Sequence, residues 1–135
     1  MYYIFEAIFV GIYSCSVAIT LSYLFILKFL YLLFWTGFMK HLLGYLFGIQ
    51  SYYCNYGYAC SKSEDKDKKK EVYNNTYRLI FECIIEGIAY IVIGTIVNTL
   101  ITHKILTIFF TGFILHILSE ILEIHTYFCE NNCKK

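Results

Sequence analysis

The sequence predicts an all-α membrane protein with four transmembrane helices arranged as two tandem helical hairpins. Three observations carry that expectation. Apolar residues make up 59% of the 135, with a mean hydropathy of +0.57, whereas a soluble domain holds about 45–50% apolar residues. The charges cluster, because Ser61 to Lys70 (SKSEDKDKKK) holds eight of the 21 Asp, Glu, Lys and Arg residues. The chain also repeats itself at a nearly constant offset.

The first span is the stretch from Ala7 to Leu27, which carries no charge and matches the roughly 20 helical residues that cross a hydrocarbon core. Phe29 to Ile49 is the second, interrupted by Lys40 and His41. Leu79 to Ile101 is the third, with Glu82 and Glu86 near its start. Ile105 to Ile124 is the fourth, with acids near its end. Met1-Tyr2-Tyr3 offers no basic n-region, so the first span is expected to stay in the membrane rather than be cleaved.

The repeat fixes how these spans relate. Ile4-Phe5-Glu6-Ala7-Ile8 returns as Ile80-Phe81-Glu82-Cys83-Ile84, Gly11-Ile12 as Gly87-Ile88, and Lys28 as Lys104, all 76 residues on. One residue is then lost. Phe34 to Cys54 aligns with Phe109 to Cys129 at an offset of 75, keeping Thr36/Thr111, Gly37/Gly112, His41/His116, Tyr52/Tyr127 and Cys54/Cys129. Length changes are tolerated best in connections, so the chain is expected to turn between Lys28 and Phe34 and between Lys104 and Phe109. A continuous helix from Ile4 to Ile49 would run roughly 69 Å, far more than a bilayer needs. The resulting organisation is a first two-helix repeat over 1–54, a polar charged loop over 55–78, and a second two-helix repeat with a Cys-containing tail over 79–135.

Both units then enter from one side, and the halves are related by an axis along the membrane normal. The face with both termini and the loop carries Lys62, Lys66, Lys68, Lys69, Lys70, Arg78, Lys134 and Lys135, against Lys28 and Lys104 opposite. The positive-inside rule makes that face cytoplasmic. Asn74-Asn75-Thr76 is a glycosylation pattern that would be used only on a lumenal loop; so close to a helix it is discounted. The net charge of +1 leaves no basic footprint for nucleic acid.

Ionisable groups at membrane depth are costly and suggest function. Glu6 and Glu82 are repeat mates near helix starts, where a carboxylate also meets the positive end of the helix dipole. His41 and His116 are repeat mates lying deeper. Gly37, His41, Gly44 and Gly48 share a face, and Gly44-x-x-x-Gly48 is a pattern that lets helices approach closely. Glu82, Glu86, His116, Glu120 and Glu123 form a candidate intramembrane polar cluster, able to relay protons or to hold an asymmetric divalent metal site. The first unit has Val10, Tyr45 and Gly48 in place of Glu86, Glu120 and Glu123, which excludes a two-fold metal site. No cofactor is named by any motif.

Cys15 and Cys83 fall within spans and read as packing residues. Cys54, Cys60, Cys129 and Cys133 follow the second and fourth spans. Three arrangements stand open for them: disulfides within each pair, disulfides bridging the units, or a four-thiolate zinc site. A catalytic Cys-x-x-Cys is absent.

Thr36-Gly37-Phe38, Lys40-His41, Leu43-Gly44-Tyr45 and Tyr52-Tyr53-Cys54, in a composition heavy in Phe, Tyr, Ile, Asn and Lys, resemble the small multi-pass membrane proteins of nucleocytoplasmic large DNA viruses. The second unit departs from that pattern at Leu115, Ser119 and Glu120. The resemblance implies residence in a virion's internal membrane or the host endomembrane it derives from. It also implies a viral thiol oxidase that permits disulfides on a cytoplasmic face.

These readings point to a structural or scaffolding membrane protein rather than an enzyme. Its partners would be the lipid bilayer, a second copy of the chain, and a soluble protein or anionic headgroups at the charged loop. The rival is a small transporter, channel or redox protein using the intramembrane Glu and His groups.

Overall fold

A computed structural model describes residues 2–61, 71–72 and 75–134. All but the first residue of the charged stretch Ser61 to Lys70 lies outside the described residues, as do Asn74 and Lys135. The fold is all-α in its body. Four long helices, α1 (Tyr2–Leu24), α2 (Phe29–Leu46), α5 (Thr76–Leu100) and α6 (Lys104–Ile121), are joined to three short ones, α3 (Ile49–Tyr56), α4 (Tyr58–Ser61) and α7 (Ile124–Asn131). A two-residue antiparallel pair, β1 (Glu71–Val72) with β2 (Cys133–Lys134), places Val72 opposite Cys133.

Three of these helices, α1, α5 and α6, are each long and apolar enough to cross a membrane; α2 qualifies together with α3 and α4, from which it is bent by 72°. Their surfaces are inverted relative to a soluble bundle. Large apolar side chains such as Phe9, Ile12, Tyr23, Trp35, Ile88, Val92, Ile96 and Phe110 face outward. The interior is lined by Ala7, Gly11, Ser14 and Ala18 of α1, Thr36 and Gly37 of α2, Cys83, Gly87 and Gly94 of α5, and Thr107, Thr111 and Gly112 of α6. Water would drive the large groups inward. In lipid that drive is missing, and small residues are favoured where backbones approach.

The long helices form a ring. α1 packs on α2 and chiefly on α6; α5 packs on α6 and chiefly on α2. Contacts across the ring come in pairs at the offsets seen in the sequence. A Cβ on Gly11 would meet the Phe109 ring at 2.7 Å, and one on Gly87 would meet the Phe34 ring at the same 2.7 Å. At the centre, two positions 76 apart touch each other: Ser14 and Tyr90 hydroxyls lie 2.5 Å apart, both fully buried.

The helix ends differ from expectation in four places. The chain turns at 25–28 and 101–103, ahead of the expected intervals Lys28 to Phe34 and Lys104 to Phe109, which are helical from Phe29 and from Lys104 onward. α2 stops at Leu46 because Gly48 adopts a left-handed conformation (φ 73°), which glycine reaches without the Cβ clash. The close approach expected at Gly44 and Gly48 is made elsewhere: Gly44 has only the Gln50 Cγ at 4.0 Å and Gly48 nothing within 4 Å, while a Cβ on Gly37 would sit 2.7 Å from the Glu86 carbonyl oxygen. α6 likewise ends at Ile121, and Glu123, 75 residues after Gly48, takes the same left-handed turn (φ 58°).

Beyond these turns, α3, α4, α7 and the strand pair form a cap over the starts of α1 and α5 and the ends of α2 and α6. Two disulfides close it, Cys54–Cys133 and Cys60–Cys129, with Cα–Cα distances of 5.6 and 5.2 Å. Of the three cysteine arrangements left open by the sequence, the structure adopts the one bridging the units; the zinc and within-pair arrangements are set aside. Cys15 and Cys83 are free.

Candidate functional site

Most of the charged groups gather where the long helices meet the cap, and Glu6, Glu82, Glu86 and Glu120 are each matched by a residue of another element. Glu6 of α1 accepts from the Tyr58 backbone N–H at 2.7 Å through Oε1, while its Oε2 lies 3.3 Å from Nε2 of His116 on α6. Glu82 of α5 makes the corresponding set. Its Oε2 lies 3.2 Å from Nε2 of His41 on α2, and its Oε1 accepts from Asn132 Nδ2 at 2.8 Å and Arg78 Nε at 3.2 Å. Each carboxylate thus ties a histidine of the other half to a cap element of its own half.

Two further pairs lack such counterparts. Lys40 Nζ donates to Glu86 Oε1 at 2.5 Å and sits 5.1 Å from the centre of the Tyr90 ring. Tyr13 donates to the Lys40 carbonyl at 3.2 Å, so the lysine is gripped at both ends. In the cap, His125 Nδ1 lies 2.7 Å from Glu120 Oε2. The His125 ring is 4.4 Å from the His116 ring, and Tyr53 packs against both.

Comparison with protein-family models, curated proteins and solved structures finds no match. The site therefore has to be read from its own chemistry.

Of Glu82, Glu86, His116, Glu120 and Glu123, none pairs directly with another of the five, although His125 bridges His116 and Glu120. Four of the five are divided among four ion pairs, and Glu123 stands apart as the exposed turn residue before α7. Among the described residues, no three His, Cys, Asp or Glu side chains converge to hold a metal ion, so the asymmetric metal site is not assembled. A cleft bounded by Tyr45, Arg78, Glu82 and Asn132 has room for about one water molecule.

The sequence reading missed Lys40, Arg78, Tyr90, His125 and Asn132 as members of the network. One signal was available. Lys40 and Glu86 are the only charged residues in their own stretches without a charged repeat mate, which marks them as candidates for each other.

Electrostatics in the cap follow from burial. Desolvation lowers the His125 pKa from its ordinary 6.5, assisted by the neighbouring His116 and opposed by the hydrogen bond to Glu120.

Proposed function

We propose that this chain is a structural, scaffolding multi-pass membrane protein, built of four transmembrane helices as two tandem hairpins from a duplicated unit. The single observation that carries this reading is how the halves diverge. Lys40 and Glu86 contact each other, and their counterparts in the other half are Leu115 and Val10. Glu120 and His125 contact each other, and their counterparts are Tyr45 and Gln50. Charges thus enter or leave this interior as matched pairs, as expected when an unpaired buried charge is costly and the pair serves packing. A transport or redox site would instead leave an acid or histidine open to its substrate.

The cap is the presenting face, and the charged sequence Ser61 to Lys70, which follows α4 in the chain, is the proposed contact for a soluble partner or anionic headgroups. The outward aromatic and aliphatic belt meets lipid or a second copy of the chain. The lysine count favours a cytoplasmic cap, whereas two disulfides call for an oxidising supply. Both hold together in a host endomembrane or virion internal membrane served by a viral thiol oxidase, as the resemblance implies. A lumenal cap is the second reading, and the disulfides favour it. Labelling Cys54, Cys60, Cys129 and Cys133 in intact vesicles with an impermeant maleimide, with and without reductant, separates the two by the side on which reductant-dependent labelling occurs.

The rival function rests on the chain Glu6–His116–His125–Glu120, whose spacing suits a proton relay. Reconstitution into liposomes holding a pH-sensitive dye tests it. A scaffold gives no flux above protein-free liposomes, and Glu86→Gln, His116→Ala and Glu120→Gln change only stability. Proton flux that these substitutions abolish, in protein that is still inserted and folded, would overturn the scaffold reading.

A further inference from the structure

The two disulfides are not independent staples. Cys60 Sγ and Cys133 Sγ, which belong to different disulfides, lie 3.9 Å apart. The four sulfurs are therefore connected in the order Cys129–Cys60, then Cys133–Cys54. The two ends differ in access: Cys129 is partly exposed, whereas Cys60 (2% exposed), Cys133 (8%) and Cys54 (1%) are buried. Tyr53, Val72 and Phe128 pack around the buried members.

Thiol–disulfide exchange needs a thiolate within reach of a disulfide sulfur and a way for the first thiol to enter. Entry is open at the partly exposed Cys129, and reach is supplied by the Cys60–Cys133 contact. We propose that the four cap cysteines form an exchange relay, through which a small external thiol entering at Cys129 delivers a reducing equivalent to the buried Cys54. This goes beyond the scaffold reading and does not depend on it.

The external thiolate attacks Cys129 Sγ, forming a mixed disulfide and expelling Cys60 as a thiolate. The Cys60 thiolate attacks Cys133 Sγ across the 3.9 Å gap, forming Cys60–Cys133 and expelling Cys54, which takes a proton. A second molecule of the external thiol resolves the mixed disulfide at Cys129. Two external thiols are oxidised to one disulfide, and the protein gains two hydrogens, held on Cys129 and Cys54. Cys54–Cys133, Cys60–Cys129 and Cys60–Cys133 all join α3 or α4 to α7 or β2. The cap consequently stays stapled at every stage while the free thiol moves from its surface to its interior.

The experiment uses the full chain in detergent micelles. The Cys129→Ser variant leaves Cys60 free beside Cys54–Cys133. After acid quench, alkylation and non-reducing peptide mapping, Cys60–Cys133 with alkylated Cys54 is expected alongside the original pair, the two pairings within roughly tenfold of each other. Cys54–Cys133 alone, with all Cys60 alkylated, overturns the relay. Should the variant fail to fold, the wild-type chain treated briefly with limiting glutathione serves instead. There the expected species carries Cys60–Cys133 with Cys54 and Cys129 modified, and reduction confined to Cys60 and Cys129 overturns the proposal.

Discussion

Glu6 and His116, 110 residues apart in the chain, meet at 3.3 Å, and Glu82 and His41 repeat the same contact at 3.2 Å between the other two long helices. The carboxylate of each half is held by the histidine of the other. Residues in one network couple by about 0.5–3 kcal/mol, while separated sites add. Glu6→Gln and His116→Ala are therefore expected to be non-additive within that range, and Glu6→Gln with His41→Ala to be additive. Unfolding of the purified protein in mixed micelles, followed by circular dichroism, measures both cycles. Coupling of Glu6 to His41 instead would refute the crossed arrangement.

Lys40 and Glu86 form the pair that the other half replaces with Leu115 and Val10. Removing one partner of a fully buried ion pair costs about 3–5 kcal/mol, because the other charge is left stranded; replacing both with apolar groups is often neutral. With side chains 13% and 27% exposed, this pair is only partly buried, so Lys40→Leu and Glu86→Val are each expected to destabilise by about 1–3 kcal/mol. The double variant, which copies the other half's own solution, should return to within about 1 kcal/mol of the wild type. If the double variant is as unstable as the singles, the pair does more than match charge.

Much of the body was legible in the sequence and the partners were not. Apolar runs locate α1, α2, α5 and α6 to within a few residues, since length and polarity decide what can lie in a bilayer. Helical spacing says that Gly37, His41 and Gly44 share a face; it does not say which neighbour that face meets. That depends on the ring order, which brings α1 to α6 and α2 to α5. Glu123 falls away from His116 and Glu120 because α6 ends at Ile121, a left-handed turn at a glutamate being a weak signal. Cysteine pairing was likewise hidden, since four cysteines allow three connectivities whatever their spacing.

Gly37 and Gly44 sit two turns apart on α2 and differ sharply in what surrounds them. A side chain at Gly37 would collide with the α5 backbone at the Glu86 carbonyl and with Tyr90, whereas at Gly44 it would reach only ordinary contact with Gln50. Overpacking of this kind costs about 1–3 kcal/mol. Gly37→Val is expected to lower stability by that amount in the same unfolding assay. Gly44→Ala is expected to be neutral or slightly stabilising, since alanine favours the helix by about 1 kcal/mol over glycine. Equal losses at both positions would mean that α2 meets α5 at the wrong rotation.

His125 makes the cap sensitive to acid, with a sign that follows from its lowered pKa. The groups around it are Glu120, His116, Glu6 and Tyr53. An unfolded cap takes up the proton near pH 6.5, the ordinary histidine value, while the folded cap resists it until the pH is lower. Between those two values the unfolded state binds more protons, so the cap loses stability as pH falls, by up to about 1.4 kcal/mol per pH unit for one proton. Above pH 7 both states are neutral there and the residue contributes no slope. Hydrogen exchange of the amides in α7, corrected for intrinsic rates, should therefore accelerate between pH 7 and pH 5. His125→Gln, which places in α7 the residue that Gln50 supplies in α3, should flatten the profile. An unchanged slope in that variant would assign the acid response to another group of the cap.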